Sequence, residues 1–556
     1  MRISRIRIKD FRSIENIDID LPQICALVGP NNAGKSNILE AIRRVLGTSW
    51  VSASSFNQDD ITYRDKDRDI EVWCEIEPTI EYKRFKHADP VDIHTLHFKY
   101  THYKIGEKKG QPRFEQNCLD QNGENILVLA NAPRAGQQRK YEPLVNIPSE
   151  VRNEVPLIHI GTNRSLKEQL PGARSSLLRQ MFQEINQNFQ DPSQTVSVKQ
   201  EDGTMKDVSR IDRFYELMES AMELLRTDEF TAVEQSIKRN VLFQLGFNPD
   251  TDTDKLDLYF TPMETWDFYK SLDLLVTENG FSVSASDMGE GIQNAIVLAI
   301  LKAFEETRKQ GAILLIEEPE MFLHPQMQRS LYKTLRRIGE TNQIIYTTHS
   351  PHFVSVPEYT EVLIIRKGDK GTGVHQSNLP NDERRREKLV KELDPERGEL
   401  FFARRLLIVE GDTEKLAFPV YAERLNVDLD REGITVIEVG GKRNLKEFAQ
   451  IAISFSIPTG IVYDTDSSDF QDREKEETYN KELDDLERED GSVKVWRFDK
   501  NYEEHLRSTL GQDKYQELCQ EFPNTTKPTR ARLIAMKNEL PVPDIVADVV
   551  EWLGDK

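Results

Sequence analysis

The sequence has few cysteines, no long hydrophobic run and a shortage of positive charge. Its four cysteines, Cys25, Cys74, Cys118 and Cys519, are far apart and form no C-x-x-C pair, so the pattern predicts neither a disulfide framework nor a zinc site. No apolar run approaches the roughly 18 residues of a membrane span, and the N-terminus alternates like a strand rather than reading as a signal peptide. These absences favour a cytoplasmic protein without a membrane partner.

The charge balance limits how the protein could bind nucleic acid. The 556 residues contain 74 Lys and Arg against 95 Asp and Glu, for a net charge of −21. Wrapping nucleic acid by general basicity needs clustered Lys and Arg on the phosphates. Any nucleic-acid site must therefore be local, or bridged by metal ions. With 38% hydrophobic residues the composition is globular, and the length indicates roughly three or four domains.

The segment QICALVGPNNAGKSNILEAIRRVLG predicts a strand, a glycine-bounded loop and a helix. It fits the pattern G-x-x-x-x-G-K-[ST], in which backbone N–H groups close around phosphates, the lysine reaches the β and γ oxygens and the hydroxyl ligates magnesium. The segment therefore predicts an ATP site with magnesium or manganese. The predicted binding residues are Gly29, Asn32, Gly34, Lys35, Ser36 and Asn37.

Two later strands complete a split ATPase pattern. GAILLIEEPEMFLHPQ ends a buried strand in Glu317 and Glu318, where the first acid would support the magnesium and the second would polarise the attacking water. QIIYTTHSP brings His349 to another strand end, where it could sense the γ-phosphate. Taken singly, the acids could be a solvated strand end and the histidine could be structural.

A serine and glycines precede an apolar helix upstream of these acids. SASDMGEGIQNAIVLAILKAF places Ser286, Gly289 and Gly291 before that helix, where backbone amides can bind an anion. A plain helix cap is the alternative. Residues 172–247 have apolar residues at helical spacing, which predicts an inserted helical subdomain, either a lid or, as we favour, a dimerisation arm.

The C-terminal part begins again as an α/β unit after a charged connecting helix. Strands at RLLIVEGDTE, ITVIEVGGKRN and IPTGIVYDTD alternate with helices, a pattern typical of a parallel sheet whose ligands collect at the carboxyl ends of the strands. Glu410, Glu414, Asp464 and Asp466 should converge there. Because four carboxylates repel one another unless cations neutralise them, they predict a magnesium or manganese site.

These segments resemble known families in a fixed order. The ATPase motifs resemble ABC-type ATPases of the SMC kind, in which two heads sandwich ATP, so the resemblance implies that Ser286 acts on nucleotide held by a second copy. Two departures are the signature S-D-M-G-E-G in place of S-G-G, and Glu317 in place of Asp. The acidic C-terminal strand ends, with Gly440 and Gly441 between them, resemble the Toprim domain of topoisomerases, primases and small nucleases.

An ABC-type ATPase followed by a Toprim domain resembles the OLD family, named for overcoming lysogenization defect. The likeness extends over nearly the whole chain, including PLIHIGTNRSL and ELFFARRLLIVEGDTE. It implies a further metal ligand in NYEEHL, Glu504 with Glu503 as second choice, and implies that Lys527 in TTKPTRARLIA stabilises developing phosphate charge. It further implies defence against phage or DNA processing, with a helicase or another defence protein left open as a partner.

We therefore predict an α/β chain. An ABC-type P-loop ATPase (1–171 and 248–378) carries the helical insertion (172–247), followed by a linker helix (379–402) and a Toprim domain (403–556). The predicted function is an ATP-dependent, divalent-metal-dependent DNA endonuclease or nickase that forms a homodimer or higher homo-oligomer. The alternatives are an ATP-responsive scaffold that binds DNA without cutting, and a topoisomerase, for which no breakage domain with a nucleophilic tyrosine is recognisable.

Overall fold

The computed structural model divides into two compact units, residues 1–162 with 310–556, and residues 163–309. Among the helices it describes, none is long and apolar enough to cross a membrane. The structure describes residues 1–47, 51–132, 139–162, 166–173, 176–199, 203–257, 260, 264–278, 280–307, 311–390, 395–465 and 473–555.

The first 162 residues are mainly β-structure. Strands β1 and β2 pair antiparallel with Ile6 opposite Ile19 and Ile8 opposite Ile17, so the alternating isoleucines share one buried face. The elements are β1 (Arg2–Phe11), β2 (Ile14–Asp20), β3 (Ile24–Val28), α1 (Lys35–Leu46), β4 (Ile70–Tyr82), β5 (Val91–His102), β6 (Pro112–Leu119), β7 (Leu127–Leu129), β8 (Tyr141–Pro143), α2 (Ser149–Asn153) and β9 (Leu157–Ile160).

The unit at residues 163–309 is wider than the insertion predicted at 172–247. It contains the predicted helices together with two hairpins, and it continues through the helix after Ser286 because that helix, α7, packs against α3. Its elements are α3 (Leu177–Phe189), β10 (Thr195–Lys199), β11 (Met205–Ser209), α4 (Arg210–Leu225), α5 (Asp228–Gln244), α6 (Thr265–Lys270), β12 (Leu275–Glu278), β13 (Phe281–Ser284) and α7 (Glu290–Thr307).

Residues 311–390 return to the first sheet with β14 (Ile313–Glu317), α8 (Pro325–Ile338), β15 (Gln343–Thr348), β16 (Val362–Gly368), β17 (Gly371–Gln376) and α9 (Glu383–Val390). The sheet has the order β6-β5-β4-β1-β2-β17-β16-β3-β15-β14-β9. Strands β16, β3, β15, β14 and β9 run parallel, so their carboxyl ends meet at one edge. Strands β3 and β15 are buried along their whole length. The sequence of β3, ICALV, is a continuous apolar run as expected for a buried parallel strand, whereas β15 begins with a glutamine and ends in two threonines.

The C-terminal part is a second, four-stranded parallel sheet in the order β19-β18-β20-β21, which confirms the predicted α/β class and parallel sheet. Its core includes Leu407, Phe418, Val462 and Trp496. The elements are α10 (Pro395–Gly398), β18 (Arg405–Val409), α11 (Asp412–Arg424), α12 (Leu429–Glu432), β19 (Ile434–Glu438), α13 (Lys442–Ser454), β20 (Thr459–Asp464), α14 (Arg473–Asp484), β21 (Val493–Phe498), α15 (Tyr502–Leu510), α16 (Gln512–Glu521), α17 (Lys527–Ala535) and α18 (Asp544–Gly554).

Candidate functional site

The predicted phosphate-binding loop runs from the end of β3 to the start of α1. Gly29 and Gly34 have φ angles of 149° and 111°, which residues other than glycine rarely adopt. A Cβ at Gly29 would lie 2.1 Å from the carbonyl oxygen of Ile365, and a Cβ at Gly34 would lie 2.1 Å from Oγ1 of Thr372. The loop therefore needs glycine at both predicted positions for space as well as for conformation.

Lys35 is buried at the first position of α1 and its ammonium group is already held by the protein. Its Nζ donates to the carbonyl oxygens of Gly29 at 2.8 Å and Pro30 at 3.0 Å, and it lies 2.9 Å from Nε2 of His349. Burial lowers the pKa of Lys35 to about 8, an effect that the charge of Glu318 opposes. A phosphate entering the loop would take over these donor contacts.

The other predicted residues of this loop serve different purposes. Ser36 is exposed, so its hydroxyl is accessible to a ligand. Asn32 adopts a φ of 64° within the turn. The side chain of Asn37 instead donates to Oγ of Ser13 at 2.7 Å, so Asn37 ties the start of α1 to the turn between β1 and β2.

The neighbouring strands β14 and β15 bring the two acids and the histidine to the same sheet edge. Glu318 has a φ of 44°, and its N–H donates to the carbonyl oxygen of Thr347 at 3.0 Å. Its Oε1 lies 3.7 Å from Nε2 of His349. Burial lowers the pKa of His349, and the charge of Lys35 lowers it further. Lys35, Glu318 and His349 thus lie in one cluster.

Two further side chains support this cluster and were not singled out from the sequence. His159, near the end of β9, places its Nε2 3.0 Å from Oε1 of Glu317. Glu320 accepts a hydrogen bond from the backbone N–H of His349 at 2.6 Å, and burial raises its pKa. The signals available in the sequence were the histidine within the apolar run PLIHI and the third acid of IEEPE.

Ser286 lies in the separate unit, in a short turn before α7. Its hydroxyl lies 2.7 Å from the hydroxyl of Ser284, and its carbonyl oxygen accepts from Nε2 of Gln293 at 3.0 Å. Gly289 directly precedes α7, where its carbonyl oxygen accepts from the N–H of Ile292. A Cβ at Gly289 or Gly291 would meet open space, so packing within this unit does not demand glycine at either position.

The second acidic site is built on the carboxyl ends of β18 and β20, which are parallel neighbours. The backbone N–H of Asp464 points at Oε2 of Glu410 at 3.4 Å, and Oδ1 of Asp464 accepts from the N–H of Tyr502 at 3.1 Å. The carbonyl oxygen of Glu410 accepts from the N–H of Gly441 at 2.9 Å. The predicted convergence of Glu410 and Asp464 is therefore present, with the glycine turn beside them.

Glu414 lies in the first turn of α11 and is buried, with 6% of the residue exposed. Burial, helped by the charges of Glu410 and Glu503, raises its pKa to about 7. Asp466 lies outside the described residues. Within the described ranges, no group of three or more His, Cys, Asp or Glu side chains is close enough together to be recognised as a metal site.

The predicted choice between Glu503 and Glu504 depends on the rotation of α15. Glu503 faces Glu414, whose pKa its charge raises, and its Oε1 lies 3.8 Å from Nζ of Lys527. Glu504 instead accepts from Nη1 of Arg507, one turn along the same helix, at 2.7 Å. The contacts favour Glu503, the second choice from the sequence, as the acid on the side of Glu414.

Residues 1–354 match a family model described as an AAA ATPase domain, and residues 401–466 match one described as the Toprim domain of proteins like the overcoming lysogenization defect protein. The OLD nuclease of Thermus scotoductus is 30% identical over 494 residues, which cover 86% of this chain and 85% of the relative. The chain belongs to the OLD nuclease family.

More distant relatives agree with this membership. The Old nuclease of Escherichia phage P2 is 24% identical, covering 84% of this chain and 77% of its own. The endonuclease GajA of Bacillus cereus strain VD045 is 22% identical, covering 79% and 71%. The predicted resemblance to the OLD family is confirmed, and the chain is a nuclease that carries an ATPase domain. The alternative of a scaffold without cutting activity is not favoured.

Proposed function

We propose that this OLD-family protein cuts DNA phosphodiester bonds at the ends of β18 and β20 under the control of ATP bound at the first sheet. The observation that carries the proposal is the arrangement of Glu410 beside Asp464 with the buried Glu414 next to them. Burial and the neighbouring carboxylates raise the pKa of Glu414, and a divalent cation bound here would neutralise that repulsion, so this donor set fits a divalent cation.

The metal ligands in this proposal are Glu410, Glu414 and Asp464, with Asp466 and with Glu503 in place of Glu504. All-oxygen ligands suit Mg²⁺ or Mn²⁺, and two such ions would supply an activated water and stabilise the leaving oxygen. Lys527 would orient the phosphate and stabilise its charge as the bond breaks. Nζ of Lys527 lies 3.8 Å from Oε1 of Glu503, so this lysine lies at the edge of the acidic group.

In the ATPase site each residue has a distinct proposed role. Lys35 and Ser36 hold the phosphates and their magnesium, with Glu317 as the supporting acid. Glu318 orients the attacking water and His349, in contact with Lys35, responds to the γ-phosphate. We propose that Ser286 and Gly289 act on nucleotide bound by a second copy of the chain.

The helical insertion is the proposed dimerisation arm. Helices α4 and α5 and the turns after them expose several large apolar side chains, among them Leu224 at 85%, Phe243 at 73% and Leu245 at 60%. Exposed apolar surface on this scale favours association. We propose a homodimer or higher homo-oligomer. Its proposed role is anti-phage defence or DNA processing in the cytoplasm. Whether a helicase or another defence protein acts with it is left open.

The proposed cutting site is tested with supercoiled plasmid and Mg²⁺ or Mn²⁺, comparing wild type with Asp464→Ala. We expect nicked or linear product from wild type and none above background from the variant. Asp412→Ala is the matched control, because Asp412 is an exposed acid in the first turn of α11. Calorimetric titration with Mn²⁺ should show weaker binding for Asp464→Ala only. Equal cutting by wild type and Asp464→Ala contradicts the assignment.

A further inference from the structure

The start of α13 carries positive charge at a helix end that is already positive. Lys442 and Arg443 are its first two residues, Lys446 lies one turn further on, and the first turn contains no acid. A helix N-terminus favours negative side chains because of its unpaired N–H groups and dipole. The α13 basic face, defined here as Lys442, Arg443 and Lys446, is therefore an arrangement that attracts an anion.

This basic face borders the proposed cutting site. The N–H of Gly441, the residue before α13, donates to the carbonyl oxygen of Glu410 at 2.9 Å. Nζ of Lys442 donates to the carbonyl oxygen of Thr465 at 3.2 Å, and Thr465 directly follows Asp464. The α13 basic face thus begins beside the strand ends that carry the acidic ligands.

Carboxylates of α14 pair with each member of the α13 basic face. Glu476 contacts Arg443 and lies 3.4 Å from Nζ of Lys442, and Glu482 accepts from Nζ of Lys446 at 2.8 Å. Helix α14 belongs to the segment 472–490, which has ten acidic and four basic residues. A strongly acidic segment therefore lies over the positive charge next to the cutting site.

Two uncharged contacts hold α14 in this place. The hydroxyl of Tyr479 donates to the carbonyl oxygen of Lys442 at 3.0 Å, and Nδ2 of Asn480 donates to the carbonyl oxygen of Thr465 at 3.1 Å. The pair of Lys442 with Glu476 is buried, with side-chain exposures of 6% and 5%. By contrast, the side chains of Arg443 and Lys446 are 54% and 32% exposed, so an incoming ligand can reach them.

We propose that the α13 basic face binds the phosphate backbone of substrate DNA, and that the carboxylates of α14 cover it until DNA takes their place. Carboxylates and phosphates accept the same charge-assisted hydrogen bonds from Lys and Arg, and helix N-termini with such side chains bind DNA phosphates. Because the protein has a net charge of −21, a local positive surface would help to bring DNA to the acidic site.

The extent of the displacement follows from the burial of the pairs. Partly exposed ion pairs contribute little to stability, so Lys446 can exchange Glu482 for a phosphate. The half-exposed Arg443 can also turn to a phosphate, because the buried Glu476 that it leaves is still paired with Lys442. Breaking a buried pair leaves an uncompensated charge, so Lys442 and Glu476 stay together. Helix α14 itself stays in place, because Leu483 beside Glu482 is fully buried and Asp484 accepts from the hydroxyl of Tyr463 at 2.8 Å. Only the Glu482 side chain moves aside, while Glu476 keeps its contact with Lys442.

The inference rests on the proposed DNA-cutting function, and binding in EDTA separates the two. Fluorescence anisotropy of a labelled duplex, measured without divalent metal over a range of salt, gives affinity independently of cutting. For Lys446→Gln and Arg443→Gln we expect weaker binding and a salt slope reduced by about one for each variant. For Glu482→Gln we expect binding several-fold tighter than wild type. Lys514→Gln, on α16 and paired with Glu517, is the matched basic control.

Glu474→Gln is the matched acidic control, because Glu474 is an exposed carboxylate on the same helix and its substitution changes the net charge equally. Equal tightening by Glu474→Gln and Glu482→Gln, or no tightening by Glu482→Gln, overturns the covering role of α14. Unchanged affinity and slope in both Lys446→Gln and Arg443→Gln overturns the phosphate-binding surface. Absence of DNA binding by wild type in EDTA likewise overturns the phosphate-binding surface, whereas DNA binding without any cutting in Mg²⁺ or Mn²⁺ is a failure of the proposed function.

Discussion

The two acidic strand ends of this molecule differ in what balances their charge. At the first sheet, Glu317 lies 3.0 Å from His159, and Glu318 lies 3.7 Å from His349, which contacts Lys35. At the second sheet, Glu414 is surrounded by the charges of Glu410 and Glu503, and burial raises its pKa to about 7. Among the described residues, the first site has histidines and a lysine next to its acids, whereas the carboxyl of Glu414 at the second has other carboxylates as neighbours.

This contrast teaches what each site requires from a ligand. A site with a lysine and histidines next to its acids is ready for an anion such as a nucleotide phosphate, accompanied by one cation. A site whose carboxylates repel one another needs added cations before a phosphate can approach. In the proposed function, one chain therefore combines an acidic edge that binds nucleotide with an acidic edge that binds divalent cations.

The largest effect should come from removing one carboxylate at the second site. Asp464→Asn keeps the side-chain shape, yet should slow plasmid nicking by more than about a hundredfold, because losing a metal ligand costs more than losing a supporting hydrogen bond, typically 10–100-fold. Phosphate release from ATP should stay within about twofold of wild type, since the carboxylate belongs to the other sheet. A loss of ATP hydrolysis as large as the loss of nicking would contradict the idea that the two acidic sites act independently.

A smaller effect should separate the two neighbouring glutamates of α15. We expect Glu503→Gln to slow nicking by at least about tenfold, because this proposed ligand lies near Glu414 and Lys527. The substitution Glu504→Gln should change the rate by less than about threefold, since this side chain pairs with Arg507 in an exposed contact. Initial rates at saturating Mn²⁺ measure both variants, and the reverse order would restore Glu504 as the ligand.

The nucleotide site should show a pH dependence governed by Lys35. Its pKa of about 8 means that the ammonium group is charged at pH 7 and loses its proton as the pH rises through 8. ATP affinity measured by fluorescence titration should therefore fall about tenfold between pH 7 and pH 9. In the control Lys35→Arg the side chain stays charged, so its affinity should be flat over that range.

The smallest effect concerns stability at the second site. The Glu414 carboxyl has an ordinary pKa of 4.5 in the unfolded chain and about 7 in the folded protein. The folded state binds the proton more tightly, so its stability is highest below pH 4.5 and falls as the pH rises to 7, by at most about 3 kcal/mol. In EDTA, Glu414→Gln should remove this loss.

The melting midpoint at pH 5 and pH 8 measures this difference. Glu414→Gln should melt a few degrees above wild type at pH 8 and close to it at pH 5. The control Glu410→Gln, at the adjacent strand end, should reduce the loss only in part, because burial is the larger cause of the raised pKa. Equal pH dependence of the melting midpoint in wild type and Glu414→Gln would mean that ionisation of Glu414 is not what lowers the stability.

Much of both sites was predictable because their residues stand next to strong local patterns. Lys35, Glu318 and His349 each follow or end an apolar strand of a parallel sheet, and the same is true of Glu410 and Asp464. Since parallel strands place their carboxyl ends at one edge, convergence follows from the order of strands and helices alone. The family resemblance was confirmed for the same reason, as these motifs occur in order.

Other features depended on distances between segments far apart in the chain. His159 and Glu317 are 158 residues apart and meet because β9 pairs with β14. The compact unit at 163–309 includes α7 because α7 packs on α3, a contact that no local sequence pattern predicts. The position of α14 over α13 could not be predicted from the sequence either, because a run of charged residues normally forms a solvated face.

The two sheets, the glycine loop and the acids at the strand ends are predictable from the sequence alone, because hydrophobic period and turn residues are local properties. Tertiary structure decided which of two adjacent glutamates faces the second site, since neighbouring residues on a helix point about 100° apart and only packing sets the rotation. It also decided how charge is balanced at each edge. Burial and long-range pairing set that balance, and neither can be read from the order of residues.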